Sequence, residues 1–137
     1  MAKFKAAAVF SSNMVLQRDK NVRVFGTGKD GESVIVSVCG NTAVTQVADE
    51  KWCVTLPAMK AGGPYEMKIS NGDETIVFGN VMIGEVWLAG GQSNMELELQ
   101  NCTGGKDYLA NDKTENVRYY YTQKNCNMDE KFFRDEE

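Results

Sequence analysis

The stretch Gly84-Glu85-Val86-Trp87-Leu88-Ala89-Gly90-Gly91-Gln92-Ser93-Asn94-Met95-Glu96 decides how this chain is interpreted. Its first half is a short apolar run, which predicts a strand over residues 85–88 that is buried on both faces. The two glycines that follow predict a tight turn, because glycine permits close backbone approach. Ser93 is therefore expected just past the end of a strand, where the nucleophilic serine of many hydrolases stands. The usual G-x-S-x-G pattern is not met, since position 95 is Met.

A serine after glycines is most often an ordinary turn residue, and this alternative has to be weighed against the flanking sequence. Residues 84–87 together with Gly91-Gln92-Ser93-Asn94-Met95 resemble the nucleophile block of the sialate O-acetylesterase family, which are SGNH-hydrolase-type carbohydrate acetylesterases. Three upstream stretches resemble the N-terminal domain of that family in the same order: residues 10–18, Gly26 with residues 31–34, and residues 61–65. The resemblance therefore extends along nearly the whole chain.

The resemblance implies a serine esterase that hydrolyses acetyl esters on sugar hydroxyls. Ser93 would be the nucleophile, and Gly91, Gln92 and Asn94 would line the site. The substrate would be an O-acetylated sugar, either sialic acid or a polysaccharide. The family's histidine, its supporting aspartate and most of its oxyanion hole come from later in the catalytic domain. This chain has no histidine at all, so we expect it to be inactive alone.

The composition of the chain limits the classes of molecule that it is expected to bind. The 137 residues are 42% hydrophobic and 25% charged, as in a folded globular protein. The net charge is −4 and no cluster of basic residues occurs, which argues against nucleic acid as a partner. No apolar run approaches the roughly 20 residues that span a bilayer, so no membrane association is expected.

The cysteines indicate whether a metal site is expected, and the N-terminus indicates the cellular compartment in which the protein is expected. Cys39, Cys53, Cys102 and Cys126 form no C-x-x-C pair, and without histidine we expect no metal site and no cofactor. The N-terminus shows no signal peptide, so a cytoplasmic location with four free thiols is expected. If a leader has been removed ahead of Met1, the protein would be secreted and two disulfides would be possible.

Residues 1–83 are predicted to form an antiparallel β-sandwich of jelly-roll or immunoglobulin-like type. Short strands separated by turn signals are predicted at residues 14–17, 21–25, 32–39, 42–47, 51–56, 65–69 and 74–78. The aromatic residues Phe25, Trp52, Tyr65 and Phe78 fall mostly on inward-looking positions. This favours a scaffold over the alternative, a non-catalytic carbohydrate-binding or interaction module.

Residues 84–137 are predicted to be the incomplete start of an α/β domain of SGNH or flavodoxin-like type. A short irregular helical segment should follow Ser93, and a second short helix should begin with Asp107 as its N-cap. A second strand is predicted over residues 116–121, which completes a β-α-β unit. A parallel sheet is stable only when both faces are covered, so the chain is expected to be the first part of a longer esterase. Its uncovered C-terminal part is expected to favour a homodimer.

Overall fold

The computed structural model describes residues 2–112, 114 and 116–122. The described residues divide into two compact units, one made of residues 2–86 and 120–122 and the other of Trp87–Tyr119. All eight strands of the described residues lie in the first unit. They are β1 (Lys5–Ala6), β2 (Val15–Gln17), β3 (Val22–Thr27), β4 (Ser33–Val38), β5 (Asn41–Gln46), β6 (Lys51–Leu56), β7 (Gly62–Ser70) and β8 (Thr75–Gly84).

The strands form two sheets, in the orders β1-β3-β6 and β2-β8-β7-β4-β5. The predicted mainly-β fold is confirmed. One pair departs from the predicted antiparallel arrangement, because β2 runs parallel to β8 with Gln17 opposite Gly84. Two strands that are connected by a short hairpin must pair in an antiparallel direction. Strands β2 and β8 are instead separated in the sequence by β3–β7, so they can pair in either direction.

The core fills the space between the two sheets because each strand buries alternate residues. In β6 the buried residues are Trp52, Val54 and Leu56, while the intervening side chains face outward. The Trp52 side chain is 2% exposed, and its Nε1–H donates to the Thr27 carbonyl at 3.0 Å. The prediction that Trp52 is a core residue is therefore confirmed. The other core side chains, contributed by both sheets, include Val22, Val24, Val34, Val36, Val38, Met67, Ile69, Val81 and Ile83.

Tyr65 and Phe78 pack against this core as predicted, whereas Phe25 does not point inward. In β3 the buried positions are Val22 and Val24, so the two-residue period places Phe25 on the outer face, opposite Cys53. There the Phe25 ring meets Phe10 edge-on, with ring centroids 5.3 Å apart. Three of the four aromatic side chains therefore belong to the core or pack against it, as expected for most of them, and Phe25 is the exception.

The two strands predicted in the C-terminal part are not formed. β8 ends at Gly84, and residues 85–91 have no regular structure. Leu88 is 100% exposed and Trp87 is 85% exposed. Residues 116–121 likewise form no strand, so the described residues contain no β-α-β unit. The physical reason is that a strand requires a neighbouring backbone to satisfy its N–H and C=O groups, and no described segment pairs with either run.

The second unit contains short helical elements. Two 3-10 helices, Ser93–Met95 and Leu99–Asn101, confirm the expected irregular helical segment after Ser93. Helix α1 is Gly105–Ala110. Its N-cap is Gly104, three residues before the predicted cap Asp107, and Gly104 has a left-handed φ of 74°, which glycine adopts readily. Asp107 instead lies in the first turn, where a negative charge is favourable.

Candidate functional site around Ser93

Ser93 is the first residue of a 3-10 turn. The turn is closed by two backbone hydrogen bonds, from Met95 N–H to the Gln92 carbonyl at 2.9 Å and from Glu96 N–H to the Ser93 carbonyl at 3.0 Å. As at any helical N-terminus, the first amide N–H groups are not used by the turn itself. Ser93 therefore combines a side-chain hydroxyl with amide N–H groups that the turn itself does not use.

All four predicted site residues, Gly91, Gln92, Ser93 and Asn94, lie together around this turn and are exposed. Within the part of the chain that the structure describes, the Ser93 hydroxyl makes no hydrogen bond. Gly91 has a steric role, because a Cβ there would lie 2.8 Å from Met95 Cγ. The glycine thus lets the Met95 side chain fold back onto the turn.

No histidine base for Ser93 is present, since the chain contains no histidine. Across the described ranges, no three acidic, cysteine or histidine side chains lie close enough together to hold a metal ion. Cys39, Cys53 and Cys102 are free thiols, and Cys126 lies outside the described residues. None of the helices in the described portion is long and apolar enough to cross a bilayer.

A polar cluster, here called the exit clamp, surrounds the point where the chain leaves β8. It consists of Gln17, Arg18, Asp19, Lys60 and Glu85. The Gln17 amide donates to the Glu85 carboxylate at 3.2 Å and accepts from Val86 N–H at 2.9 Å. These contacts, and one from Arg18, give Glu85 a structural role at the end of β8. Sequence reasoning missed Gln17, although it lies within the stretch of residues 10–18 that resembles the family.

The exit clamp also contains charged side chains, which pair with one another at the surface. Arg18 Nε lies 2.7 Å from Asp19 Oδ2 and 3.7 Å from Glu85 Oε1. Lys60 Nζ lies 2.6 Å from Asp19 Oδ1. The hydrogen bonds from Lys60 and then Arg18 lower the pKa of Asp19, and Asp19 in turn raises the pKa of Arg18. These groups are exposed, so their pairing orients the loop more than it stabilises the fold.

A second feature, here called the outer groove, lies on the outer face of β3 and β6. It is an open depression of about 700 Å³ lined by Arg23, Phe25, Gly26, Gln46, Lys51, Trp52 and Cys53. Within the described residues, neither Arg23 nor Lys51 pairs with a carboxylate. A hydrogen bond with the neighbouring Cys53 thiol raises the pKa of Arg23, so that residue remains a cation. The groove therefore offers two uncompensated positive charges beside an aromatic ring.

Comparison with known proteins identifies the class of protein to which this chain is related. No protein-family model matches the chain. The crystal structure of a carbohydrate acetylesterase from Xanthomonas citri is similar, with a TM-score of 0.73 and 34% sequence identity. The match covers 77% of this chain and 25% of that one. The chain is thus a homologue of carbohydrate acetylesterases.

The curated relatives identify one family within the carbohydrate acetylesterases. Sialate O-acetylesterase of Rattus norvegicus is 32% identical over an aligned length of 130 positions, and the match covers 85% of this chain and 24% of the relative. The Mus musculus enzyme is 35% identical over 119 residues, covering 78% of this chain and 22% of the relative. The resemblance drawn from the sequence is confirmed: over about four-fifths of its length the chain is homologous to the sialate O-acetylesterases. It spans about a quarter of the length of those relatives.

Proposed function

We propose that this chain forms the N-terminal part of a carbohydrate O-acetylesterase and carries its nucleophile, Ser93. The observation that carries the proposal is the exposed Ser93 hydroxyl at the first position of a helical turn, within a sequence homologous to acetylesterases. The first amide groups of such a turn are suited to hold an oxyanion. The substrate would be an O-acetylated sugar, with sialic acid or a polysaccharide as the sugar.

The reaction requires a base, and histidine, the residue that supplies it in a serine hydrolase triad, does not occur in this chain. The Ser93 hydroxyl would attack the acetyl carbonyl and lose its proton to the base. The base would then return this proton to the sugar oxygen as the C–O bond of the tetrahedral intermediate breaks, which releases the sugar and leaves an acetyl-enzyme. Water would then attack the acetyl-enzyme and release acetate. The Ser93 N–H would hold the oxyanion in both steps. Because serine is a poor nucleophile without a base, the isolated chain should show no turnover that depends on Ser93.

A chimera tests this proposal. The chain is placed in the Xanthomonas citri carbohydrate acetylesterase in exchange for the region it matches, and hydrolysis of p-nitrophenyl acetate is measured. We expect the chimera to turn over ester and Ser93→Ala to lower its kcat at least about a thousandfold. The matched control is Ser33→Ala, at an exposed serine on β4. A Ser93→Ala chimera as active as its parent would overturn the assignment of the nucleophile.

A second measurement uses the isolated chain, outside the chimera. Its rate on p-nitrophenyl acetate should equal that of its own Ser93→Ala variant. A Ser93-dependent rate in the isolated chain would contradict the requirement for an external base and point to a different catalytic group.

A second candidate function, carbohydrate binding by the sandwich, is favoured by the outer groove. Arg23 and Lys51 suit a carboxylate, and the outward ring of Phe25 suits the apolar face of a sugar. The ligand class would be an acidic sugar. In an NMR titration, N-acetylneuraminic acid should shift the Arg23 and Lys51 resonances with a Kd of roughly millimolar order.

Matched variants decide whether the groove binds. Arg23→Ala should abolish the shifts, whereas Lys68→Ala, on the other sheet and paired with Glu66, should leave them unchanged. Equal shifts with the neutral sugar N-acetylmannosamine would show that the cations play no part, and would contradict an acidic-sugar site.

A further inference from the structure

The turn that carries Ser93 is short and weakly bonded. It is a single 3-10 turn, Ser93–Met95, in which no residue is buried, and its N-cap residue, Gln92, makes no side-chain hydrogen bond that would cap it. The hydrogen bonds of a 3-10 turn are poorly aligned, and an isolated helical segment of this length is not stable in water. The conformation of the turn therefore depends on side-chain contacts as well as on its two backbone hydrogen bonds.

Met95 makes such a contact with Gly91. Both residues belong to the second unit, and Ser93 lies midway between them in the sequence. A Cβ built at Gly91 would lie 2.8 Å from Met95 Cγ and 3.6 Å from Met95 Sδ. The Met95 side chain thus lies over the Gly91 Cα, on the side where a side chain would otherwise be. This packing closes residues 91–95 into a small loop with Ser93 at its centre.

The contact excludes a side chain at position 91. Carbon atoms in favourable contact are about 3.5–4.0 Å apart, so a Cβ at 2.8 Å from Met95 Cγ would overlap with it. Met95 Cγ is bonded directly to Cβ, and it can therefore move away only through a change of the χ1 rotamer or of the backbone. The neighbouring glycine differs, because no atom lies within 4 Å of a Cβ built at Gly90. Of these two successive glycines, the second is required by its contact with Met95 and the first is not.

We infer that Met95 is a positioning residue, which packs on Gly91 and thereby fixes the backbone that carries the Ser93 hydroxyl. Met95 has no group that takes part in ester hydrolysis, so it would act through the turn alone. A displacement of about 1 Å in a reacting group can slow a reaction about a hundredfold, and a turn without this contact would hold Ser93 in the attacking position for less of the time. The catalytic part of this inference rests on the proposed function of Ser93, whereas the packing of Met95 on Gly91 does not.

NMR of the full chain tests the packing without any activity. A nuclear Overhauser effect is expected between the Gly91 Hα and Met95 Hγ protons, and Gly91→Ala and Met95→Ala should each shift the amide resonance of Ser93. The matched control is Gly90→Ala, which should keep both the Overhauser effect and the Ser93 resonance of the parent. A parent chain without this Overhauser effect, or an unmoved Ser93 resonance in Gly91→Ala, would overturn the packing.

Kinetics of the Xanthomonas citri chimera test the positioning role. Gly91→Ala and Met95→Ala should each lower kcat about tenfold and change KM by less than about twofold, because the placement of the nucleophile is affected and sugar binding is not. The double variant should cost no more than Met95→Ala alone, because the atoms that a Cβ at position 91 would meet belong to Met95. Met95→Leu, which conserves volume, should keep at least half of the parent kcat.

The same variants define the results that would contradict the inference. Additive losses in the double variant, a loss in Gly90→Ala equal to that in Gly91→Ala, or a raised KM at unchanged kcat in Met95→Ala would each overturn the positioning role. A chimera in which Ser93→Ala is as active as its parent would instead overturn the proposed function. The Overhauser effect between Gly91 and Met95 would still report on the packing, so the two proposals can fail separately.

Discussion

At the scale of single residues, Gly26 shows most directly how packing selects an amino acid. A Cβ at this position would lie 2.0 Å from the Lys5 carbonyl oxygen and 2.6 Å from the Trp52 ring. Both neighbours are fixed, one by β1 pairing and the other by burial in the core. Gly26→Ala should therefore lower the free energy of unfolding by about 1–3 kcal/mol, measured by urea denaturation.

The control for this prediction is Gly79→Ala. No atom lies within 4 Å of a Cβ built at Gly79, so this variant should change stability by less than about 1 kcal/mol. Equal losses in the two variants would show that the effect comes from the unfolded chain and not from the contact with Lys5 and Trp52.

Asp19 should make the stability of the folded protein depend on pH. Hydrogen bonds from Lys60 and Arg18 lower its pKa in the folded protein. A lowered folded-state pKa means that the carboxylate contributes stability above its unfolded pKa, and that the contribution is lost as pH falls through the folded value. The difference in thermal stability between the parent and Asp19→Asn should be constant near neutral pH and vanish below the usual aspartate range. Asparagine is the suitable variant because it tolerates the left-handed φ of 55°. A difference that persists unchanged in acid would show that charge is not involved.

At the scale of elements, the exposed linker after β8 should be the first site of proteolysis. Residues 85–91 have no regular structure, and Trp87 and Leu88 are almost fully exposed. Limited digestion with chymotrypsin should cut at these two residues at least about tenfold faster than at Tyr65 or Phe78, which lie in paired strands. Initial fragments ending at Tyr65 or Phe78 would show that the sandwich opens before the linker does.

The elements also show what the sequence could and could not predict. β6 was predicted with its observed bounds, Lys51–Leu56, because burying one face imposes a two-residue period that is visible in the sequence. β1 has only two residues and no period to detect. Residues 85–88 have a strand's composition, but composition cannot supply a pairing partner. The turn at Ser93 was predicted from its motif, whereas the clamp joins Gln17 to Glu85 across 68 positions, a contact that no local pattern indicates.

At the scale of the whole molecule, apolar side chains remain in water. Among the described residues, the most exposed large apolar side chains are Trp87 at 85%, Leu88 at 100% and Tyr119 at 88%. The chain spans about a quarter of the length of its curated relatives, so most of each relative has no matching part in this chain. Large apolar surface that is left in water tends to be covered by another chain. A second copy is the covering that is available in a pure solution.

We therefore expect a dimer that associates through residues after Gly84. Light scattering coupled to size exclusion should give twice the mass of the 15.2 kDa chain at tens of micromolar, roughly where a modest interface associates. Replacing Leu88 by Asp should shift the protein to a monomer, because the charge would have to be desolvated in the interface. The matched control is Val44→Asp, at a residue that is 62% exposed on β5 and should leave the dimer intact. A parent chain that elutes as a monomer would contradict association altogether. A dimer lost in Val44→Asp and kept in Leu88→Asp would place the interface on the sandwich instead.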